Sequence, residues 1–120
     1  MSFEMYQANV LDHGKNPRNR KKLENANLTL DRNNTLCGDS ITLYIKIDDA
    51  GIVQEISFEG QGCTISQAAT SLFTEYAKGK NIEELKGMDK NDMMKLLGSP
   101  VTTAREKCAT LPLDALHSST

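Results

Sequence analysis

The feature that most constrains this chain is a change of hydrophobic period near its middle. Ile41, Leu43, Ile45 and Ile47 alternate with Thr42, Tyr44 and Lys46, the period of two expected of a strand with one buried face. Asp48-Asp49-Ala50-Gly51 supplies turn residues, and Ile52, Ile56 and Phe58 form a second alternating face, broken by the polar Gln54. Two such runs joined by a short Gly-containing loop predict an antiparallel hairpin. A weaker third strand fits Leu28 to Asp31. After Gly60-Gln61-Gly62-Cys63 the period becomes helical. Ala68, Ala69, Leu72, Phe73, Tyr76 and Ala77 predict a helix from about residue 65, ending at Gly79.

The flanks are less regular. Phe3, Tyr6, Val10 and Leu11 recur at helical spacing, so residues 2–13 read as an amphipathic helix, with Gly14 placed to end it and Pro17 beyond. The polar stretch Gly14 to Asn27 reads as a loop with freedom to move. Ile82 to Leu85 suits one helical turn, and Asp89 or Asn91 suits the cap of a short helix through Met93, Met94, Leu96 and Leu97, closed by Gly98 and Pro100. A last helix is expected to begin near Cys108 and to carry Leu113 and Leu116. Strands first and helices after predict an α+β fold, a small antiparallel sheet with helices packed on one face. At 120 residues the chain has the length of a single domain, 1–120.

Composition excludes several function classes. A net charge of −2 and the lack of a Lys/Arg-rich block argue against a nucleic-acid partner. No apolar run reaches the eighteen or so residues of a membrane span. The N-terminal MSFEMYQANVLDH carries two acids and no Lys or Arg, unlike a signal or transit peptide, so a cytoplasmic location is expected. The 3 cysteines are too few, and odd in number, for a disulfide scaffold. They suit a metal or a reactive thiol, with three unrelated buried cysteines as the ordinary alternative.

Their neighbours favour a shared site. Cys37 precedes Gly38 and Asp39, so a tight turn there brings a thiol and a carboxylate together, both of them zinc ligands. An Asx turn beside a buried Cys is the ordinary alternative. Cys63 follows Gly-x-Gly and precedes a helix, where the macrodipole favours a thiolate. Cys108 is expected to open the last helix, with Arg105 and Lys107 close by and favouring its thiolate. The absence of a CxxC pair speaks against a zinc ribbon or a thioredoxin-like motif. His13 fits the end of the first helix as a cation suited to the dipole. His117 alone is weak as a ligand, and Met88, Met93 and Met94 read as packing residues.

Four segments, in order, carry a resemblance. Asn16-Pro17-Arg18-Asn19, Cys37-Gly38-Asp39, Gly60-Gln61-Gly62-Cys63-Thr64-Ile65-Ser66 and Lys107-Cys108-Ala109-Thr110-Leu111 resemble the iron–sulfur cluster scaffold family of IscU, SufU and the N-terminal part of NifU, over about residues 2–117. The resemblance implies a three-stranded antiparallel sheet with helices on it and the three cysteines at one exposed end. It implies sulfur received as a persulfide from a PLP-dependent cysteine desulfurase of the SufS or IscS kind. IscU-type members build a [2Fe–2S] cluster on these cysteines and pass it to apo iron–sulfur client proteins, whereas SufU-type members hold zinc there.

The two branches leave different marks. IscU-type chains have His before the third cysteine, where this chain has Lys107. The Leu-Pro-Pro-Val-Lys segment read by Hsp70-type chaperones is not reproduced either. Both features resemble SufU, while the 45-residue spacing from Cys63 to Cys108 is closer to IscU. The SufU resemblance implies Zn2+ on Cys37, Asp39, Cys63 and Cys108, with a [2Fe–2S] cluster or iron as the alternative occupant. It implies that Cys37 first accepts sulfur, where IscU similarity implies Cys108. It also makes Asp39 the weak ligand that keeps the site labile. A structural zinc module without sulfur chemistry is the competing reading. A thiol hydrolase is poorly supported, since only His13 and His117 are available as the base.

Overall fold

In a computed structural model of the chain, the described residues are 12–34, 38–98 and 106–117. The helix expected over 2–13 falls outside them except for its last residues, and Cys37, Pro100 and Arg105 lie outside them altogether. Residues 12–15 form a helical turn, α1. Three antiparallel strands follow, β1 (Leu28–Asn34), β2 (Asp39–Ile47) and β3 (Val53–Gln61), in the order β1-β2-β3. The helices are α2 (Thr64–Ala77), α3 (Ile82–Lys86), α4 (Lys90–Leu97), α5 (Glu106–Ala109) and α6 (Leu111–His117). The architecture is the expected α+β one. Among the described residues no helix is long and apolar enough to cross a membrane.

The alternation along β2 places Ile41, Leu43 and Ile45 on the buried face, against α6 and the rest of the core. Phe58 of β3 and Phe73 and Ala77 of α2 close the same core, all fully buried. Each large side chain there contributes about 1.5–3 kcal/mol relative to exposure. β1 is longer than the expected Leu28 to Asp31, pairing from Leu28↔Ile45 through Asn34↔Asp39. In β3 the expected inward Ile52 is replaced by Val53, which is 1% exposed. The register shifts between Lys46 and Ile47, so Lys46 pairs with Glu55 and Ile47 with Val53. One extra residue, the exposed Gln54, reverses the face of everything before it.

The helical caps resolve the alternatives. Asp89 is the N-cap of α4, accepting from the Asp92 N–H at 3.0 Å, while the Asp92 carboxylate accepts from the Asp89 N–H at 3.0 Å. This capping box excludes Asn91 from the role. Met88 and Met93 are core residues and Met94 packs against them, as expected. The last helix is divided: α5 ends at Ala109 and α6 starts at Leu111, with Pro112 in its first turn, where no amide donor is needed.

Three expectations about the N-terminal third are corrected. The stretch after Pro17 has no regular structure, yet it is pinned rather than free. Asn19, at φ +61, lets its carbonyl accept from the Phe58 N–H at 2.9 Å while its amide side chain donates to Thr74 Oγ1 at 3.1 Å. Asn tolerates that left-handed conformation better than most residues. Leu23 is buried, and Asn27 Nδ2 donates to the Ile47 carbonyl at 2.8 Å. The helical turn α1 also runs on to residue 15 instead of stopping at Gly14, where Thr64 leaves no room for a side chain.

His13 is the third correction. It is not a solvated cation at a helix end but is 5% exposed, with Nδ1 2.8 Å from Ser71 Oγ. Ser71 Oγ accepts the Arg18 N–H at 2.8 Å, so its own proton is free to go to Nδ1. Nε2 then carries the ring proton and faces Glu75 Oε1 at 3.6 Å. Burial holds the His13 pKa below the usual 6.5, and the Arg18 charge acts in the same direction. The folded state therefore prefers neutral His13, whereas the unfolded chain takes up a proton below pH 6.5. Stability from this site is complete above that pH and is lost as pH falls toward the folded pKa. Urea midpoints at pH 7.5, 6.5 and 5.5 should fall in that order, and His13→Asn should remove that part of the slope.

Candidate metal centre

Three potential ligands converge at one end of the sheet. An oxygen of Asp39 and the sulfurs of Cys63 and Cys108 all lie within 4.8 Å of one another. Each comes from a different element. Asp39 is the first residue of β2, Cys63 is the N-cap of α2, and Cys108 lies in α5. Asp39 is 2% exposed, Cys108 is fully buried and Cys63 is half-buried. Cys108 therefore does not open its helix as expected. It is the third residue of a four-residue turn, and the adjacent Lys107 is exposed.

The Gly60-Gln61-Gly62 segment is built for this convergence. Gly60 pairs with Ile41, and a Cβ on Gly60 would lie 2.1 Å from the Ser40 carbonyl oxygen. A Cβ on Gly62 would lie 2.4 Å from Ser66 Oγ and 2.6 Å from Asp39 Oδ1. Only glycine lets the Asp39 carboxylate approach this backbone. There Asp39 Oδ1 accepts the Cys63 N–H at 3.0 Å, and Oδ2 lies 3.8 Å from Cys63 Sγ. Ser66 Oγ donates back to the Cys63 carbonyl at 3.0 Å, fixing the cap. Cys63 makes no side-chain cap bond, so its sulfur is left at the positive end of a 14-residue helix.

The donor set fits a thiophilic cation. A buried carboxylate is costly unless paired, and among the described residues no Lys, Arg or His pairs with Asp39. Among the described residues its partners are the Cys63 amide and the Cys63 thiol. Two sulfurs and a carboxylate oxygen match zinc's ligand preference. The observed 3.8 Å between oxygen and sulfur compares with about 3.6 Å for the edge of a zinc tetrahedron built from its usual bond lengths. Of the predicted site residues, the structure thus joins Asp39, Cys63 and Cys108. His13 is committed to Ser71, and His117 Nε2 lies 2.9 Å from the Lys86 carbonyl, so neither belongs to the cluster.

The burial of Ser66 and Gln67 just behind Cys63 is not signalled by the sequence. Polar letters in the first turn of a helix ordinarily signify solvent, and here they face the interior.

The family model described as the NifU-like N terminal domain matches residues 5–120. The chain is 41% identical to the zinc-dependent sulfurtransferase SufU of Bacillus subtilis, over 94% of this chain and 87% of that one. It is 39% identical to the iron-sulfur cluster assembly scaffold protein IscU 1 of Archaeoglobus fulgidus, over 94% of this chain and 72% of that one. The crystal structure of FiSufU from Fervidobacterium islandicum AW-1, a SUF-system scaffold candidate, superposes with a TM-score of 0.78 at 29% identity, covering 98% of both chains.

Proposed function

The chain belongs to the NifU-like N-terminal domain family of iron–sulfur cluster assembly proteins, and from that premise we propose that it is a zinc-dependent sulfur acceptor working with a cysteine desulfurase. The observation that carries this reading is the buried Asp39 carboxylate, without a cationic partner among the described residues and within 4.8 Å of two thiols. Asp39, Cys63 and Cys108 would hold the zinc, with Cys37 as a fourth ligand supplied by the Cys37-Gly38-Asp39 segment. When bound, zinc keeps its thiol ligands deprotonated at neutral pH and adds no redox chemistry of its own.

The chain's own groups divide the remaining work. The Cys63 N–H orients the Asp39 carboxylate, and Gly62 leaves room for it. Cys108 is fully buried, so it holds its place while another thiolate meets the donor. We assign that role to Cys37. Its thiolate attacks the outer sulfur of the desulfurase persulfide. A sulfur–sulfur bond forms on Cys37 as the donor's bond breaks, and the donor cysteine leaves as a thiolate. No electron is gained or lost overall. Lys107, exposed where IscU-type chains carry His, supports this reading over a cluster-building one.

The 39% identity to an IscU scaffold supports a second reading, in which a [2Fe–2S] cluster is cargo on the same thiols. Metal analysis of the purified chain, followed by thiol-trapping mass spectrometry after incubation with a SufS-type desulfurase and L-cysteine, separates the two. Zinc at about one per chain, faster desulfurase turnover and a persulfide on Cys37 are expected. Anaerobic iron, sulfide and reductant giving a stable coloured cluster, without stimulation of the desulfurase, would favour the scaffold. Zinc-loaded protein that neither stimulates the desulfurase nor gains sulfur sinks both.

A further inference from the structure

Beside the cysteine cluster lies an open concavity of about 230 Å³ whose lining includes Lys15, Arg20, Gln61, Gly62 and Gln67. It shares Gly62 with the metal centre, and a Cβ there would touch Asp39 Oδ1 at 2.6 Å. Two features mark it as more than a surface dimple. Among the described residues its charged lining groups are both cations and no acid lines it, although the chain as a whole carries a net charge of −2. Gln67 is 8% exposed, and its Nε2 is a buried donor without a hydrogen-bond partner among the described residues.

A buried N–H is rarely left unpaired without reason. Gln67 lines the concavity, and a turn of its amide toward that space would let an acceptor seated there satisfy it. Arg20 is already oriented for the same guest. One of its guanidinium nitrogens, Nη2, donates to the Gly60 carbonyl at 2.8 Å, which fixes the group at the rim. Other guanidinium donors remain for a planar, doubly accepting group. Lys15 adds a second positive charge at the rim, and the amide side chain of Gln61 is a further exposed donor. A carboxylate matches this set in charge, shape and acceptor count.

We propose that the concavity anchors a carboxylate side chain, Asp or Glu, presented by the protein that docks over the cysteine cluster. The openness decides between sources. Lys15, Arg20, Gln61 and Gly62 are all exposed, whereas sites for free small molecules bury most of their ligand. A shallow cationic socket suits a side chain held in place by a larger interface. Only the identity of the docking partner, a cysteine desulfurase, rests on the function proposed above. The carboxylate socket stands on its own residues.

The test uses the full zinc-loaded chain and three probes followed by NMR: capped aspartate (N-acetyl-L-aspartate N-methylamide), its neutral counterpart capped asparagine, and L-alanine as a free small carboxylate. Capped aspartate should move the Gln67 side-chain amide and the Gly62 amide saturably, and capped asparagine should not. The double variant Lys15→Gln/Arg20→Gln should raise the saturating concentration about 10-fold or more with zinc content unchanged. Equal shifts from the two capped residues, or an unaffected double variant, overturn the socket. Saturation by L-alanine at lower concentration than capped aspartate overturns the docked side chain as the source. The same double variant should weaken desulfurase binding about 10-fold and flatten its salt dependence. A desulfurase that binds wild-type and variant chains equally overturns the docking role. A desulfurase that binds neither counts against the proposed function instead, and the capped-aspartate result then still decides the socket.

Discussion

Cys108→Ser should cost stability along with the metal, while Cys37→Ser should weaken zinc binding, leave the fold standing and stop sulfur acceptance. The cost in stability follows from the burial of Cys108. Cys108 is fully enclosed in α5, within 4.8 Å of Asp39 and Cys63. Serine there replaces a soft thiolate with a hydroxyl that zinc binds poorly, and it adds a polar group to an interior site. Loss of an outer-shell partner alone lowers metal affinity about 10–100-fold, so loss of a thiolate ligand should exceed about 100-fold. Asp39 then remains buried with less compensation, at a cost of about 1–3 kcal/mol. Competition with a zinc-binding dye reads the affinity, and urea unfolding with and without chelator reads the stability. A purely structural zinc module predicts otherwise: both serine variants would lose stability alike, and neither would lose sulfur acceptance with its fold intact. Comparable unfolding midpoints for the two variants, with sulfur acceptance lost only alongside the fold, would sink the sulfur-acceptor reading.

The sheet and the centre's outline were legible in the sequence because period and glycine placement report directly on backbone geometry. Ile41, Leu43 and Ile45 alternate because one face of β2 is buried, and they are. The hairpin's second strand was read one residue out because a bulge at Gln54 leaves no mark on a hydrophobic pattern beyond a polar interruption. Polar residues misled more. Ser66, Thr70, Ser71 and Thr74 of α2 are buried, and three of them return their hydroxyl protons to nearby carbonyls: Ser66 to Cys63, Thr70 to Ser66 at 2.8 Å and Thr74 to Ser71 at 2.7 Å. Small hydroxyl side chains that satisfy themselves locally can face a core, so the helix is buried more widely than its apolar letters imply. His13 and Asn19 were opaque for a related reason. Their partners Ser71 and Thr74 lie more than fifty residues away, and no local rule connects them. The Asp39–Cys63–Cys108 convergence was suggested by turn and helix-start positions, but its closeness depends on strands passing at Gly60.

Gly60→Ala should therefore damage fold and metal centre together, and more than any other glycine change at an open position. Gly60 sits at φ +146, and its new Cβ would lie 2.1 Å from the Ser40 carbonyl oxygen and 2.8 Å from Ile41 Cα. Both neighbours are backbone, so no side chain can turn aside and β2 itself must move. Overpacking of this kind costs about 1–3 kcal/mol, and a left-handed backbone at a non-glycine residue adds about 1–2 kcal/mol. A total of about 3 kcal/mol corresponds to a fall of roughly 10 °C in Tm for a chain of this size. Gly79→Ala is the control. Gly79 also has positive φ, +85, but nothing lies within 4 Å of its Cβ position, so only the conformational cost of about 1–2 kcal/mol applies. The difference between the two variants isolates the strand–strand contact. Movement of β2 at Ser40 and Ile41 carries the adjacent Asp39 with it, away from the Cys63 N–H that now holds it at 3.0 Å. Gly60→Ala should accordingly lose zinc affinity even below its unfolding temperature, whereas Gly79→Ala should retain it. Equal zinc affinity in the two variants would mean that the carboxylate is held by something other than the close passage of β2 over β3.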